Sequence, residues 1–346
     1  MLRRNMTLLV ALTSISLMAT ATACDSKDGD SDSSSTSGDG DGDPTGDGDG
    51  DPTGDGDGDG DGDGDGDCGP THDSEGTAAD GESCQFNSDC ASGLCLSFSN
   101  VPADPDAVCA AAAADCSTRV TGTLRNIIDM TPIDGATVGV VGAISAAANP
   151  GSAARIAEGM TDADGRYDFS TPGGDDRPLQ AIALAALAEK GMDFYLSSTG
   201  LESAGEGNLY GPGVSIHDVW AISGTDLTSF SDLLGMDGTF PTDKLPLGDQ
   251  GGVVGLVRST ADGMPLAGAT IVPSSGVDNS AAVIRYLNEA QDGFDEAGTG
   301  SSGIFVLVSP GLAEEFDAVL NGEVVAGATA GSAAGAVFIM TMDVTL

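Results

Sequence analysis

The sequence predicts an all-β fold: two tandem β-sandwiches preceded by a disulfide-rich module and a disordered acidic linker. Three observations predict it. Two stretches in the C-terminal half align without a gap, Gly122–Val138 on Gly255–Ile271, so one domain is present twice rather than as a solenoid. Glycine is abundant and aromatics are few, a composition that with Val, Ile and Thr favours short strands and turns over long helices. Six of the seven cysteines fall between Cys68 and Cys116, in a segment too short to build a large core without staples.

The chain is strongly acidic, with 54 acidic residues against 12 basic ones and a formal charge of −42. Nucleic acid is excluded as a partner, because phosphate binding needs clustered Lys and Arg. A polybasic membrane-surface mode is excluded for the same reason. Basic residues are missing altogether between Lys27 and Arg119. The remainder, from residue 119 onward, is long enough for about two ordinary domains.

At the N-terminus Arg3 and Arg4 form a positive region, Met6–Met18 an apolar one, and small residues lead to Cys24. The apolar stretch is shorter than the roughly 20 residues of a spanning helix and has the three-part form of a secretory signal. It resembles a bacterial lipoprotein signal, in which cleavage precedes a cysteine that becomes diacylated. The resemblance implies a signal peptide over residues 1–23 and lipidation at Cys24. Ala21 stands where that family usually has Leu, and Ala21-Thr22-Ala23 also suits an ordinary signal peptidase, which would leave a secreted protein. Cysteine arithmetic favours the lipid, since removing Cys24 leaves an even number. The expected address is the cell envelope, at the outer membrane or cell surface, with the membrane as a partner through the lipid.

Residues 24–67 make up the linker, dominated by an Asp-Gly run from Gly38 to Asp67. Such a segment has too little apolar surface to offset its ordering entropy. Like charges at every second position extend it, and residues 25–67 reach at most about 140–155 Å at roughly 3.3–3.6 Å per residue. Repeated aspartates also suggest calcium. An EF-hand would need a closing Glu and flanking helices, and a β-roll would need a regular apolar residue; the run has neither. A spacer with weak divalent-cation association is the expectation.

The module spans residues 68–116, with Cys68, Cys84, Cys90, Cys95, Cys109 and Cys116 read as three disulfides of open connectivity. With no CxxC pair and only His72 nearby, structural zinc is disfavoured. The stretch Cys84–Cys95 resembles small cysteine-rich modules of the dickkopf type.

The aligned stretches pair Arg125 with Arg258, Asp129 with Asp262, Pro132 with Pro265, and Gly135-Ala136-Thr137 with Gly268-Ala269-Thr270. Each reads as a strand, a turn built on the Asp and Pro, and a second strand. Further on, Thr161–Gly165 is a tight turn feeding Tyr167 and Phe169; its counterpart is Thr299–Gly303 feeding Phe305 and Leu307. The order G-x-V, P-L-x-G-A-T-V, T-D-x-D-G-x-Y-x-F resembles the carboxypeptidase regulatory-like domain. That resemblance implies two transthyretin-like β-sandwiches, residues 117–241 with a helical extension and residues 250–346, serving as non-catalytic modules for folding, adhesion or binding. Asp162 and Asp164 are replaced by Gly300 and Ser302 in the second copy, so their shared role is the turn rather than calcium. A related sandwich family forms Lys–Asn crosslinks; Lys190 and Lys244 do not lie in a first strand, and no such bond is expected.

Between the copies, Pro178–Gly191 has helix propensity, yet its counterpart around Phe316–Thr329 reads as a hairpin turning at Asn321-Gly322. A hairpin near Lys190-Gly191 is favoured, followed by a strand through Phe194, Leu196 and Ser198. Asp226–Leu234 reads as a short helix ending before Gly235, Thr242–Gly251 as a linker, and Ala336–Leu346 as a buried final strand.

No catalytic site, metal site or cofactor is predicted. His217 beside Asp218 and Trp220 suggests a triad with Ser215 only by adjacency, which is not triad geometry. HExxH, GxSxG and Walker loops do not occur. The expectation is a non-catalytic envelope lipoprotein displaying binding or structural β-sandwiches, with an extracellular protein or glycan ligand left open. A calcium-responsive adhesion protein and an accessory or degenerate envelope hydrolase binding glycan or peptide are the alternatives.

Overall fold

A computed structural model describes residues 76–113, 115–172, 179–203, 208–214, 218–274, 280–311 and 313–346. The signal peptide, Cys24, the acidic run, Cys68, His72, Ser215 and His217 lie outside them.

The cysteine-rich module carries a two-stranded ribbon, β1 (Cys95–Leu96) against β2 (Val108–Cys109). Cys84 is bonded to Cys95 and Cys90 to Cys109. With Ala107 these sulfurs form a small core of their own. Cys116 is disulfide-bonded as well, and its partner lies outside the described residues.

The first repeat contains β3 (Arg119–Asn126), β4 (Thr137–Gly142), the short helix α1 (Ala143–Ala148), β5 (Arg155–Met160), β6 (Arg166–Ser170), β7 (Ala183–Lys190), β8 (Phe194–Ser203), β9 (Gly213–Val214) and β10 (Asp218–Ala221). The longer helix α2 (Gly224–Met236) follows. The second repeat contains β11 (Val253–Ser259), β12 (Thr270–Pro273), β13 (Val283–Leu287), β14 (Phe294–Asp295), β15 (Ile304–Val308), β16 (Glu314–Leu320), β17 (Glu323–Ala330) and β18 (Val337–Val344).

Local structure follows the repeat bond for bond. Thr161 Oγ1 accepts from Ala136 N at 2.9 Å and donates to Ile133 O at 2.7 Å. Thr299 Oγ1 accepts from Ala269 N at 3.0 Å and donates to Leu266 O at 2.8 Å. Asp129 Oδ1 accepts from Thr131 N at 3.0 Å, and Asp262 Oδ1 from Met264 N at 3.1 Å. The turn glycines are equivalent too. Gly165 and Gly303 have φ of +73° and +66°, and a Cβ there would meet the carbonyl of Leu124 at 2.7 Å or of Val257 at 2.4 Å. Only glycine satisfies both demands.

The motif glycine that opens each copy has a steric task. Gly122 sits opposite Tyr167 in the β3–β6 ladder, and Gly255 opposite Phe305 in the β11–β15 ladder. A Cβ on Gly255 would lie 1.9 Å from the Phe305 ring, which is fully buried. Overpacking of this kind costs about 1–3 kcal/mol. Gly255→Ala is therefore expected to lose about 3 kcal/mol in urea denaturation; a loss below about 0.5 kcal/mol would contradict this packing.

Three sheets organise these strands. The first repeat's outer sheet runs β10-β3-β6, with β9 also on β3; the second repeat's runs β12-β16-β17. Between them lies one nine-stranded sheet in the order β14-β13-β15-β11-β18-β8-β7-β4-β5. The two repeats are thus joined edge to edge. The seam is a parallel pairing of β18 with β8, with Val337, Phe338 and Ile339 opposite Ser197, Ser198 and Thr199.

Each half of the long sheet packs against its own outer sheet. Val120, Leu124, Tyr167, Val138, Ala186 and Val219 fill the first sandwich, while Val253, Ile271, Tyr286, Phe305, Phe316 and Met342 fill the second. A third core lies on the other face of the second half. There Val254, Leu256, Ile304, Val306 and Ile339 meet Leu227, Phe230 and Leu234 from α2, together with Trp220 and Ile222. The strand alternation of β10 explains this division: Val219 and Ala221 face the first sandwich, Trp220 and Ile222 the central core.

Residues 183–190 form a strand, as the hairpin reading expects. Leu184, Ala186 and Ala188 enter the first sandwich, while Ala185 and Leu187 pack under α1. Burial on both faces overrides the local helix preference. Two boundaries need correction. The α2 helix does not stop before Gly235; it runs to Met236 and is closed by Asp237, whose N–H donates to Leu234 O. At its start Ser223 Oγ accepts from Asp226 N at 3.0 Å, the expected N-cap chemistry. The stretch expected as a linker, 242–251, is packed rather than spanning: Leu247 joins the central core, and its N–H donates to Ser231 Oγ on α2 at 3.0 Å.

Candidate functional site

The arginine shared by both repeats leads to the junction. Arg258, on β11, is in register with Asp343 on the parallel neighbour β18. Its Nε donates to Asp343 Oδ1 at 2.6 Å and its Nη2 to Oδ2 at 3.3 Å, a forked pair. The same Nη2 donates to Asp218 Oδ2 at 3.1 Å, and Nη1 to the Val101 carbonyl at 3.3 Å. Its guanidinium lies 5.1 Å from the centre of the Trp220 ring. Val101 N in turn donates to Asp218 Oδ2 at 3.3 Å. One side chain, 2% exposed, thereby holds the cysteine-rich module, the first repeat and the second repeat together.

Electrostatics at this point are set by burial. Burial pushes the Asp218 carboxyl up, against the opposing charges of Arg258 and then Arg125. Burial also works against the Arg258 charge, but the hydrogen bond and charge of Asp343, with those of Asp218, hold it above its ordinary value. Tyr167 is pushed up by burial first and by the Asp218 charge second. Four buried polar atoms nearby or beside these groups have no hydrogen-bond partner among the described residues: Asp218 Oδ1, Asn100 Oδ1, Trp220 Nε1 and Tyr167 Oη.

Asp218, Asn100, Arg258 and Asp343 all line a cavity of about 630 Å³ between the repeats. The rest of its wall is mostly apolar, with Ala185 on β7 and Ala328 on β17 beside the larger Leu201, Phe338 and Met340 and the hydroxyls of Ser198, Thr199 and Thr341. Gly200 on β8 contributes a gap, since a Cβ there would meet nothing within 4 Å. A second, more open cleft of about 500 Å³ lies between the module and the first repeat, lined by Phe98, Asp104, Arg125, Asp164 and Arg166. Arg166 stacks there on Phe98, 5.1 Å from the ring centre. The module is also tied along β3, where Thr121 Oγ1 donates to Ser97 O at 2.7 Å and Thr123 Oγ1 to Phe98 O.

Among the residues singled out from the sequence, Cys84, Cys90, Cys95 and Cys109 come together as two disulfides. The sulfurs of Cys84, Cys90 and Cys109 also have metal-ligand proximity, but the disulfides use the atoms a metal would need. Asp162 Oδ1 accepts from Asp164 N and Arg166 N, both at 2.9 Å, closing its own turn. Asp218, noted only as the neighbour of His217, is engaged with Arg258 and Val101. Sequence reasoning did not find the Arg258–Asp218–Asp343 group. The available signal was the alignment of Arg125 with Arg258, which marks the position although the two side chains end in different surroundings, Arg258 at the junction and Arg125 in the cleft beside the module.

No family model matches the chain, and no curated protein matches it either. Among solved structures, the Bacillus anthracis TIE protein is 12% identical, with 66% of this chain covering 34% of that one at a TM-score of 0.21. The shaft pilin SpaA from Lactobacillus rhamnosus GG is 11% identical, with 66% of this chain covering 98% of that one at 0.20. The minor pilin GBS52 of Streptococcus agalactiae is 13% identical, with 66% covering 96% at 0.17. Superpositions this poor carry no argument. The all-β class rests on the strands and sheets of this chain itself.

Proposed function

We propose that the chain is a non-catalytic cell-envelope lipoprotein, anchored through Cys24, that displays a rigid two-repeat binding body on an acidic spacer. The observation that carries this reading is the junction at Arg258. A buried guanidinium ties three modules into one body, and a mostly apolar cavity with a polar end lies between the repeats. Such an arrangement presents a preformed concave surface. The Arg258 guanidinium is fully engaged by its carboxylate and carbonyl partners, which serves cohesion of the body. The acidic spacer supplies distance from the membrane through repulsion and hydration, and the disulfides suit an oxidising compartment.

Mass spectrometry of the purified protein tests the anchor: a diacylated peptide beginning at Cys24 is expected, and an unmodified N-terminus at that position would remove the lipid from the proposal. Surface proteolysis of intact cells tests the display, because an exported body is cleaved from outside and an internal one is not.

A further inference from the structure

We propose that the cavity between the repeats binds an aliphatic primary ammonium, with its chain along the mostly apolar walls and its head against Asp218 and Asn100. This deepens the binding role just proposed and rests on it. At about 630 Å³ the space is of the size that holds small ligands. Its walls are mostly apolar, with Leu201, Phe338 and Met340 beside Ala185, Ala328 and Ala330, and Gly200 leaves room for a chain because it projects nothing.

The polar end selects the head group. Asp218 Oδ1 and Asn100 Oδ1 are acceptors with no partner among the described residues, so the matching head must donate. Asp218 is itself 3% exposed, and an unmet buried acceptor is costly. The guanidinium donors of the site are already engaged: Nε, Nη1 and Nη2 of Arg258 each donate to Asp343, Asp218 or Val101. Charge points the same way. Two acids, Asp218 and Asp343, contact one guanidinium, so among the groups in direct contact acid outnumbers base. Arg125, which lines the other cleft, also acts on Asp218 and offsets part of this charge. An ammonium neutralises the group, a hydroxyl satisfies only its hydrogen bonds, and a carboxylate opposes it.

Titration calorimetry on the full chain at pH 7 decides the matter, using octylamine, 1-octanol and octanoate below their aggregation concentrations. Octylamine is expected to bind at least tenfold more tightly than octanol, and octanoate to show no saturable binding. Gly200→Leu places a side chain in the slot without a clash at Cβ; it should abolish octylamine binding while leaving the melting temperature within a few degrees. Asp218→Asn should make octylamine and octanol equal. Octanoate binding as tightly as octylamine, no saturable octylamine binding, or full binding by folded Gly200→Leu would each overturn the proposal. If Asp218→Asn does not fold, the ligand series and Gly200→Leu still decide. A failed titration beside a lipidated Cys24 would leave the envelope reading standing, and an unmodified Cys24 beside saturable octylamine binding would do the reverse.

Discussion

Arg258→Ala is expected to destabilise the chain by about 3–5 kcal/mol, the usual cost of removing one partner from a buried ion pair. Its side chain and that of Asp218 are each only 2% exposed, so water cannot replace what is lost. Val101 O would lose its Nη1 donor, and Trp220 the cation on its face. The pH dependence has a definite sign. Burial already raises the Asp218 carboxyl, and Arg258 is the largest influence holding it down. Without Arg258 it rises further. A carboxyl raised in the folded state favours folding below its unfolded value near 3.8, and that contribution is lost as pH rises through the folded value. The deficit of Arg258→Ala should therefore narrow in acid and widen toward neutrality. Adding Asp218→Asn should recover part of it at pH 7. Urea denaturation at pH 4 and pH 7 measures both effects; a deficit under about 1 kcal/mol, or one independent of pH, would remove the ion pair from its place at the junction.

The repeat was legible because its signals are local. Turn residues such as Asp129, Gly165 and Thr161 hydrogen-bond within a few positions or to the strand beside them, so two copies of the pattern announce two copies of the geometry. The hairpin through Lys190 was legible only by analogy with the second copy, since Ala183–Lys190 taken alone reads as helix. The joined sheet was not legible. Its seam is three residue pairs between β8 and β18, far apart in the chain and without a distinctive side chain. Nor was the junction. Arginine is by default exposed, and Arg258 is buried only because Asp343 comes from the last strand, Asp218 from β10 and Val101 from the disulfide module. The segment 242–251 looked like a linker because it is rich in Gly, Pro and Asp, yet Leu245 and Leu247 within it meet the central core.

The second repeat cut out as residues 250–346 is expected not to fold cooperatively, despite being a complete copy of the repeated unit. Its inner face is covered by its own outer sheet, but its other face is not. Val254, Leu256, Ile304, Val306, Val308, Val337 and Ile339 pack on α2, Trp220, Ile222, Phe240 and Leu247, all of which precede residue 250. Exposing these side chains forfeits about 1.5–3 kcal/mol each, on the order of 10–20 kcal/mol together, against a whole-domain stability of about 5–15 kcal/mol. Arg258 would also lose Asp218 and Val101 while remaining beside Asp343. A chain covering 223–346 regains α2 with its Ser223 cap, Phe240 and Leu247, and should recover a cooperative transition at lower stability than the full protein because Trp220 and Ile222 are still missing. Thermal melts and limited proteolysis of the two chains separate these outcomes. If 250–346 melts sharply and resists protease as well as 223–346 does, then the central core is a contact between finished domains. If only the longer chain does so, α2 is a structural part of the second repeat, although it follows the first in sequence.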